Sequence, residues 1–185
     1  CKERLLALRD RRITADGVGC ASCHPDGMDD GLTWSTPDGQ RQTPMLAGRL
    51  HGTEPYGWNR EMDTLPKYIV STVQRLGGQG LPDAEVVALA SYLERMDAPP
   101  REATTERERR AGEVAFETAG CAGCHADAGL GTDHESHAAA ARTDEPFDTP
   151  SLAFVGLTAP YFHDGRYRTL DDVLSDRSST MGTTA

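Results

Sequence analysis

The chain has 185 residues, with 19 Lys and Arg against 29 Asp and Glu, and a net charge of −10. That balance excludes a nucleic-acid reader, which needs a basic face to meet phosphates. The longest purely apolar stretch, Val86 to Ala90, is far too short to span a membrane. The length suits one domain or two small ones. Aromatics are only 6% of the residues, so two such domains would have thin cores unless something besides side chains filled them.

The chain opens on Cys1. A lipidated N-terminal Cys would anchor it to a membrane. The charged run Lys2-Glu3-Arg4-Leu5-Leu6 follows without a flexible spacer and argues against an anchor.

Four of the five cysteines form two matching patterns, Cys20-Ala21-Ser22-Cys23-His24 and Cys121-Ala122-Gly123-Cys124-His125. A bare CxxC suits a redox dithiol or half a zinc site. The His after the second Cys points instead to c-type haem attachment. There two thiols add to the porphyrin vinyl groups, and the adjacent His becomes the proximal iron ligand. Two motifs predict two covalent haem c groups, held by Cys20, Cys23, His24 and by Cys121, Cys124, His125. Such attachment takes place outside the cytoplasm, so the chain is expected to be periplasmic or otherwise exported. Two macrocycles would also supply the apolar bulk the side chains lack.

Helices are expected in chain order. Thr64 to about Arg75 carries Leu65, Ile69, Thr72, Val73 and Leu76 at helical spacing. Pro82 opens a helix with Asp83 and Glu85 in its first turn, and Val86, Leu89, Ala90, Leu93 and Met96 form its apolar face. Pro99-Pro100 breaks the pattern. Thr105 and Glu108 have capping-box spacing, and Gly120 closes that helix before Cys121. Residues 126–148 are expected to be a loop, in which His134 and His137 lie among Asp133 and Glu135 as solvated side chains. Thr169 and Asp172 predict another helix start. No stretch alternates as a strand. The expected fold is mostly α, as two tandem cytochrome c-like haem domains, 1–97 and 98–185.

The chain repeats internally. Thr43-Pro44-Met45-Leu46-Ala47 returns as Thr149-Pro150-Ser151-Leu152-Ala153, Pro55-Tyr56 as Pro160-Tyr161, Thr64-Leu65 as Thr169-Leu170, and Leu76-Gly77 as Met181-Gly182. The second copy reaches Ala185 without a counterpart of helix 82–96, so the domain 98–185 is expected to be truncated here: either the protein continues past Ala185 or that domain lacks its closing helix.

The run Leu157-Thr158-Ala159-Pro160-Tyr161-Phe162-His163-Asp164-Gly165-Arg166, with the two CxxCH motifs and two TP-to-TL modules in the same order, resembles the bacterial di-haem cytochrome c peroxidase / MauG superfamily over residues 13 to 182. The resemblance implies a peroxidatic N-terminal haem and an electron-collecting C-terminal haem. It implies His24 and His125 as proximal ligands and Met181 as the distal ligand of the second haem, with His163 in reserve. Leu76, at the equivalent position of the first repeat, cannot bind iron. Trp34 stands where relatives carry a removable His, so the first haem is expected to be open, with His51 as a competing ligand. Trp58 aligns with the inter-haem Trp. Thr158, Pro160 and Gln42 occupy the calcium positions, Gln42 replacing an Asn. Arg75 stands where the peroxidases carry a catalytic Glu. An Arg can steady a developing anion but cannot act as a base, which leaves Glu61, Asp63 and Glu54 as other acids.

The expected activity is peroxidase-like, with hydrogen peroxide as substrate and a small cytochrome c or cupredoxin as electron donor, and with a dimer among the expected assemblies. The alternatives are an electron-transfer cytochrome domain of a larger protein and a structural haem domain without turnover.

Overall fold

The computed structural model describes residues 9–126, 129–138, 145–179 and 181. Cys1 and the Gly182 of the Met181-Gly182 pair lie outside the described residues.

In chain order the elements are α1 (Cys20–Cys23), β1 (Thr33–Thr36), β2 (Gly39–Gln42), α2 (Leu65–Arg75), α3 (Asp83–Leu93), α4 (Glu106–Thr118), β3 (Ser136–Ala138), β4 (Pro146–Asp148) and α5 (Leu170–Ser175). Short 3₁₀ turns cover Pro25–Gly27, Cys121–Gly123 and Val155–Leu157.

The longer helices form where their sequence dictates. Leu65, Ile69 and Val73 of α2 face Val86, Leu89, Ala90 and Leu93 of α3 in one buried cluster. These positions recur every three or four residues, so one face of each helix leaves water. Thr105 and Thr169 each close a capping box, with Glu108 and Asp172. Gly120, at φ 78°, ends the turn after α4 in a conformation that costs a side-chain-bearing residue energy. α4 buries none of its residues, and Val114 is 64% exposed.

Before α1, the segment around Ile13 packs along the α2–α3 turn. Ala15 N–H donates to Leu76 O, and Gln79 and Gly80 donate to Arg11 and Arg12 carbonyls, each at 3.0 Å. Ile13 is thereby 1% exposed. Gly78 lies so close to the Ile13 backbone that no side chain fits there.

Two findings correct the expectation of a mostly α chain made of tandem cytochrome c-like domains. The first is two antiparallel hairpins. β1 pairs with β2, placing Trp34 opposite Arg41, and β3 pairs with β4, placing His137 opposite Phe147. The β3–β4 hairpin lies inside the stretch expected to be a loop. Strands of three or four residues are too short for alternation to show. The second is that the described residues share one main core, around α2 and α3. In the second repeat the buried apolar side chains are Phe147 and Val173. Among the described residues, α5 has six residues and α4 buries none, so no cluster comparable to that of α2 and α3 forms in the second repeat.

The repeat survives in local geometry. Each CxxCH is followed by a hairpin whose second strand ends just before Thr-Pro. Each copy then has a cis X–Pro bond ahead of a tyrosine, a one-residue bridge (Tyr56 with Met62, Tyr161 with Tyr167) and a helix entered from a Thr.

The copies are stapled along a seam. Gln42 N–H donates to His163 O at 2.7 Å and Asp148 N–H to Trp58 O at 2.8 Å. Asn59 donates to Glu145 and to Pro146 O, and Arg60 pairs with Asp148 at 3.1 Å.

Candidate functional site

The two CxxCH segments adopt short, tight turns. Cys20 to Cys23 form a single α-turn, and His24 N–H caps it on Cys20 O at 2.8 Å. Cys121 to Gly123 form a 3₁₀ turn, and His125 N–H reaches Cys121 O at 3.0 Å. Each turn sets two thiols and an imidazole on neighbouring positions. All four thiols are partly buried and none is in a disulfide. Burial pushes the Cys20 and Cys23 thiols above their ordinary range. That is contrary to a redox dithiol, whose attacking sulfur needs a lowered value.

His125 Nδ1 lies 2.7 Å from Gly131 O. A carbonyl only accepts, so Nδ1 carries a proton, which leaves Nε2 as the nitrogen through which the neutral ring would ligate. Metal-bound histidines are held by this kind of partner bond. The ring lines a cavity of about 690 Å³ with Phe116, Leu130, Leu152 and Phe154. That volume is within the range of cofactor sites, roughly 300–1,000 Å³. His24 is held differently. Its Nδ1 is buried without a hydrogen-bond partner, and burial pushes the imidazole below its usual value. It therefore stays neutral near pH 7, the form in which imidazole ligates metal. Thiols outside any disulfide, an imidazole beside each pair, and a cavity lined by Phe116, Leu130, Leu152 and Phe154 as well as Arg101, Glu102, Glu113 and Glu117 are a donor set and setting that fit a covalent haem.

Met181 is half-buried, its N–H held by Ser179 Oγ at 3.2 Å, and it stands outside the cavity that His125 lines.

Trp58 stands at the seam beside His163. Their rings meet edge to face at 6.4 Å, and His163 stacks on Phe147 at 3.8 Å. Arg41 covers the other side of Phe147 at 5.6 Å. His163 is thus buried among rings. A second cavity, about 200 Å³, runs along this seam, and Trp58, Tyr56, Tyr68, Arg49 and Asp148 line it. The calcium candidates Gln42, Thr158 and Pro160 line it too. Gln42 Nε2 donates to Thr158 O at 3.4 Å.

Other sequence candidates lie apart. Trp34 is 46% exposed on β1, and its indole N–H is shared by Asp30 and Thr43. Arg75 pairs with Asp38 in the β1–β2 turn at 3.3 Å. His51 is exposed. Asp63 is tied to Lys67 at 2.8 Å. Glu61 reaches Gly57, next to the Tyr68 ring, and both Gly57 and Tyr68 line the seam cavity.

Three further features stand out, and of their residues Arg49 and Asp148 gave no sequence signal. One is Arg49, whose guanidinium crosses the seam to Ser151 O. Another is the close group of Cys124 Sγ, Asp133 and His137, all within 4.8 Å of one another, which could hold a metal ion through Cys124 only while that thiol is free.

The third is Asp148. Burial pushes its carboxyl up to about 6, against the pull of Arg60. The unfolded group titrates near 3.8. Between about pH 4 and 6 the folded chain therefore binds the extra proton, and this group's contribution to stability is lost as pH rises through that window. Melting temperatures of wild type and Asp148→Asn should show the variant gaining on wild type from pH 4 to pH 7. A pH-independent difference, or one of opposite sign, would rule this out.

No known family model and no curated protein matches the chain. Among solved structures, the chain superimposes on a hydrazine synthase from Kuenenia stuttgartiensis, pressurised with 20 bar xenon, with a TM-score of 0.80 at 21% identity, covering 100% of this chain and 80% of that one. It also superimposes on a MauG-like protein associated with microbial copper homeostasis, with a TM-score of 0.66 at 21% identity over 94% of this chain and 72% of that one. The chain has the fold of these proteins.

Proposed function

We propose that the chain is a haem oxidoreductase of the di-haem peroxidase kind. It carries one covalent haem at Cys20, Cys23 and His24 and another at Cys121, Cys124 and His125. The observation that carries this is His125 at the end of its CxxC turn, with Nδ1 fixed on Gly131 and its ring on a cavity of about 690 Å³ that Phe116, Leu130, Leu152 and Phe154 also line. The shared fold with a MauG-like protein supports it.

Bound haem would supply one-electron chemistry at iron, and the balanced reaction is hydrogen peroxide plus two electrons and two protons giving two waters. The chain's residues divide the work around it. His24 and His125 offer neutral imidazole nitrogens to the metals. Met181 offers a thioether at the second site, which favours the reduced state. Trp58 and His163 place two rings between the sites, on the path electrons would take. Arg75 offers a fixed positive charge, and Glu61 a carboxylate for proton transfer. A turned-over Gln42 amide would place its oxygen beside the Thr158 and Pro160 carbonyls, oxygen donors of the kind Ca²⁺ takes. The electron donor is a small cytochrome c or cupredoxin, and the compartment is periplasmic or otherwise exported.

A second function is favoured by one observation. Arg75, at the acid–base position, is engaged by Asp38. A chain that only relays electrons, as a domain of a larger protein, needs no proton-transfer group there.

The test is a pyridine haemochrome assay on the chain exported in a host with c-type maturation. Two covalent haems per chain are expected, falling to one in the Cys121→Ser/Cys124→Ser variant. A chain that carries no haem, yet binds Zn²⁺ through Cys124, Asp133 and His137, would replace this function with a metal-binding one.

A further inference from the structure

We propose that Cys124, Asp133 and His137 form a binding site for a thiophilic divalent cation, Zn²⁺ by its donor set, and that this metal competes with haem for the Cys124 thiol. The metal site stands on its own geometry. The competition rests on the haem proposal above and names a control on how the second haem is attached.

The three residues come from two segments that hydrogen bonds hold together. His125, next to Cys124, holds Gly131 O through Nδ1 at 2.7 Å. That sets the start of the loop carrying Asp133 against the second CxxCH turn. The loop is tied again where Thr132 Oγ1 donates to Thr149 O at 2.7 Å and where Glu135 O accepts the Thr149 N–H at 3.0 Å. It then enters β3, whose pairing with β4 fixes the backbone of His137 opposite Phe147. Asp133 is oriented by its own chain. Its Oδ1 accepts the Glu135 N–H at 3.0 Å, which leaves Oδ2 facing His137 Nε2 at 2.7 Å.

A carboxylate–imidazole pair on a loop needs no metal by itself. The thiol changes the chemistry. Cys124 Sγ, a carboxylate oxygen of Asp133 and a ring nitrogen of His137 all lie within 4.8 Å of one another. Bonds of about 2.0–2.3 Å to a tetrahedral ion put its donor atoms roughly 3.3–3.8 Å apart, so a small turn of the exposed His137 ring closes the set around one ion. Cys124 and Asp133 are partly buried and His137 is exposed, which gives the ion a way in and leaves room for water as the fourth ligand. Sulfur, nitrogen and one oxygen are donors for Zn²⁺, whereas Ca²⁺ and Mg²⁺ take oxygen. Binding displaces the thiol proton: Zn²⁺ and the Cys124 S–H give a Zn–S bond and H⁺. A thioether bond to a haem vinyl group uses the same sulfur, so one occupant excludes the other. The first CxxCH turn has no such group among the described residues, so only the second attachment should be sensitive to metal.

The metal titration uses the full chain carrying Cys121→Ser and His125→Ala, exported in a host with c-type maturation. Neither residue is among the three donors. The second motif is then no longer CxxCH, while the first keeps its haem, and one covalent haem is counted per chain. Zn²⁺ is titrated by calorimetry, with metal content read after gel filtration. One Zn²⁺ per chain is expected. Cys124→Ser, Asp133→Asn and His137→Ala, each added to that background, should weaken binding by more than the ~10–100-fold lost with a hydrogen-bond partner of a ligand. Wild type carrying two haems should take up no Zn²⁺ at this site. Wild type matured in excess Zn²⁺ should carry close to one haem per chain, and His137→Ala matured alongside it close to two.

No Zn²⁺ on the one-haem chain, or binding that His137→Ala and Asp133→Asn leave unchanged, would overturn the metal site. Zn²⁺ on two-haem wild type that His137→Ala removes would overturn the part assigned to Cys124, and the competition with it. Equal haem counts for wild type and His137→Ala after maturation in Zn²⁺ would overturn the competition. A wild-type chain without haem would remove both the haem function and the competition, and the counting step recognises it. Wild type is then itself the chain titrated with Zn²⁺, so the metal site still stands or falls on the same variants.

Discussion

Placing an acid at position 75 is expected to raise peroxide turnover by ~10²–10⁴, the usual contribution of a positioned proton-transfer group. Arg75 cannot accept a proton at working pH, and its guanidinium is occupied by Asp38 at 3.3 Å. Arg75→Glu alone would set two carboxylates against each other, so the variant belongs in an Asp38→Asn background. Steady-state assay with a reduced small cytochrome, compared with Asp38→Asn alone, reads the effect. A companion variant, Glu61→Gln, separates the two candidate acids. If Glu61, which reaches Gly57 beside Tyr68, already performs the transfer, Glu61→Gln will depress wild-type turnover by a comparable factor and Arg75→Glu will add little. Turnover indifferent to both variants would favour the electron-relay function.

The second large effect concerns stability. Leu89 is 2% exposed at the centre of the α2–α3 cluster, where it packs among Ile69, Val73, Val86 and Leu93. Leu89→Ala should destabilise the chain by about 3–5 kcal/mol, the range for a buried leucine whose surroundings cannot collapse. The described residues share one main core, so little else can take up the loss, and the whole chain should melt earlier in one cooperative step. Urea unfolding followed by circular dichroism measures it. If the second repeat kept its own unshifted transition, the two halves would be energetically separate and the seam would couple them weakly. The exposed Val87→Ala, on the opposite face of α3 at 58% exposure, should change stability by less than about 0.5 kcal/mol and serves as the control.

Much of this protein was determined by residues close together in the chain. The faces of α2 and α3, the capping boxes at Thr105 and Thr169, the break at Pro99-Pro100, the closing Gly120 and both CxxCH turns depend on neighbours within about one or two helical turns, so spacing alone exposes them. The repeat was legible for the same reason, because each copy carries its own Thr-Pro, Pro-Tyr and Thr-Leu punctuation.

What only the tertiary structure decided depends on partners far apart in sequence. The hairpins escaped notice because three- and four-residue strands carry no readable period and are defined by pairing. Trp58 was picked out by position, but its edge-on contact with His163 and the stack on Phe147 exist only once the copies meet. Arg75 was singled out from the sequence, but its engagement by Asp38 depends on where the β1–β2 turn lands. Arg49 and Asp29 gave no signal at all. An arginine or aspartate in a sequence defaults to a solvated surface, and only the folded chain withdraws the Arg49 guanidinium and one Asp29 oxygen from water.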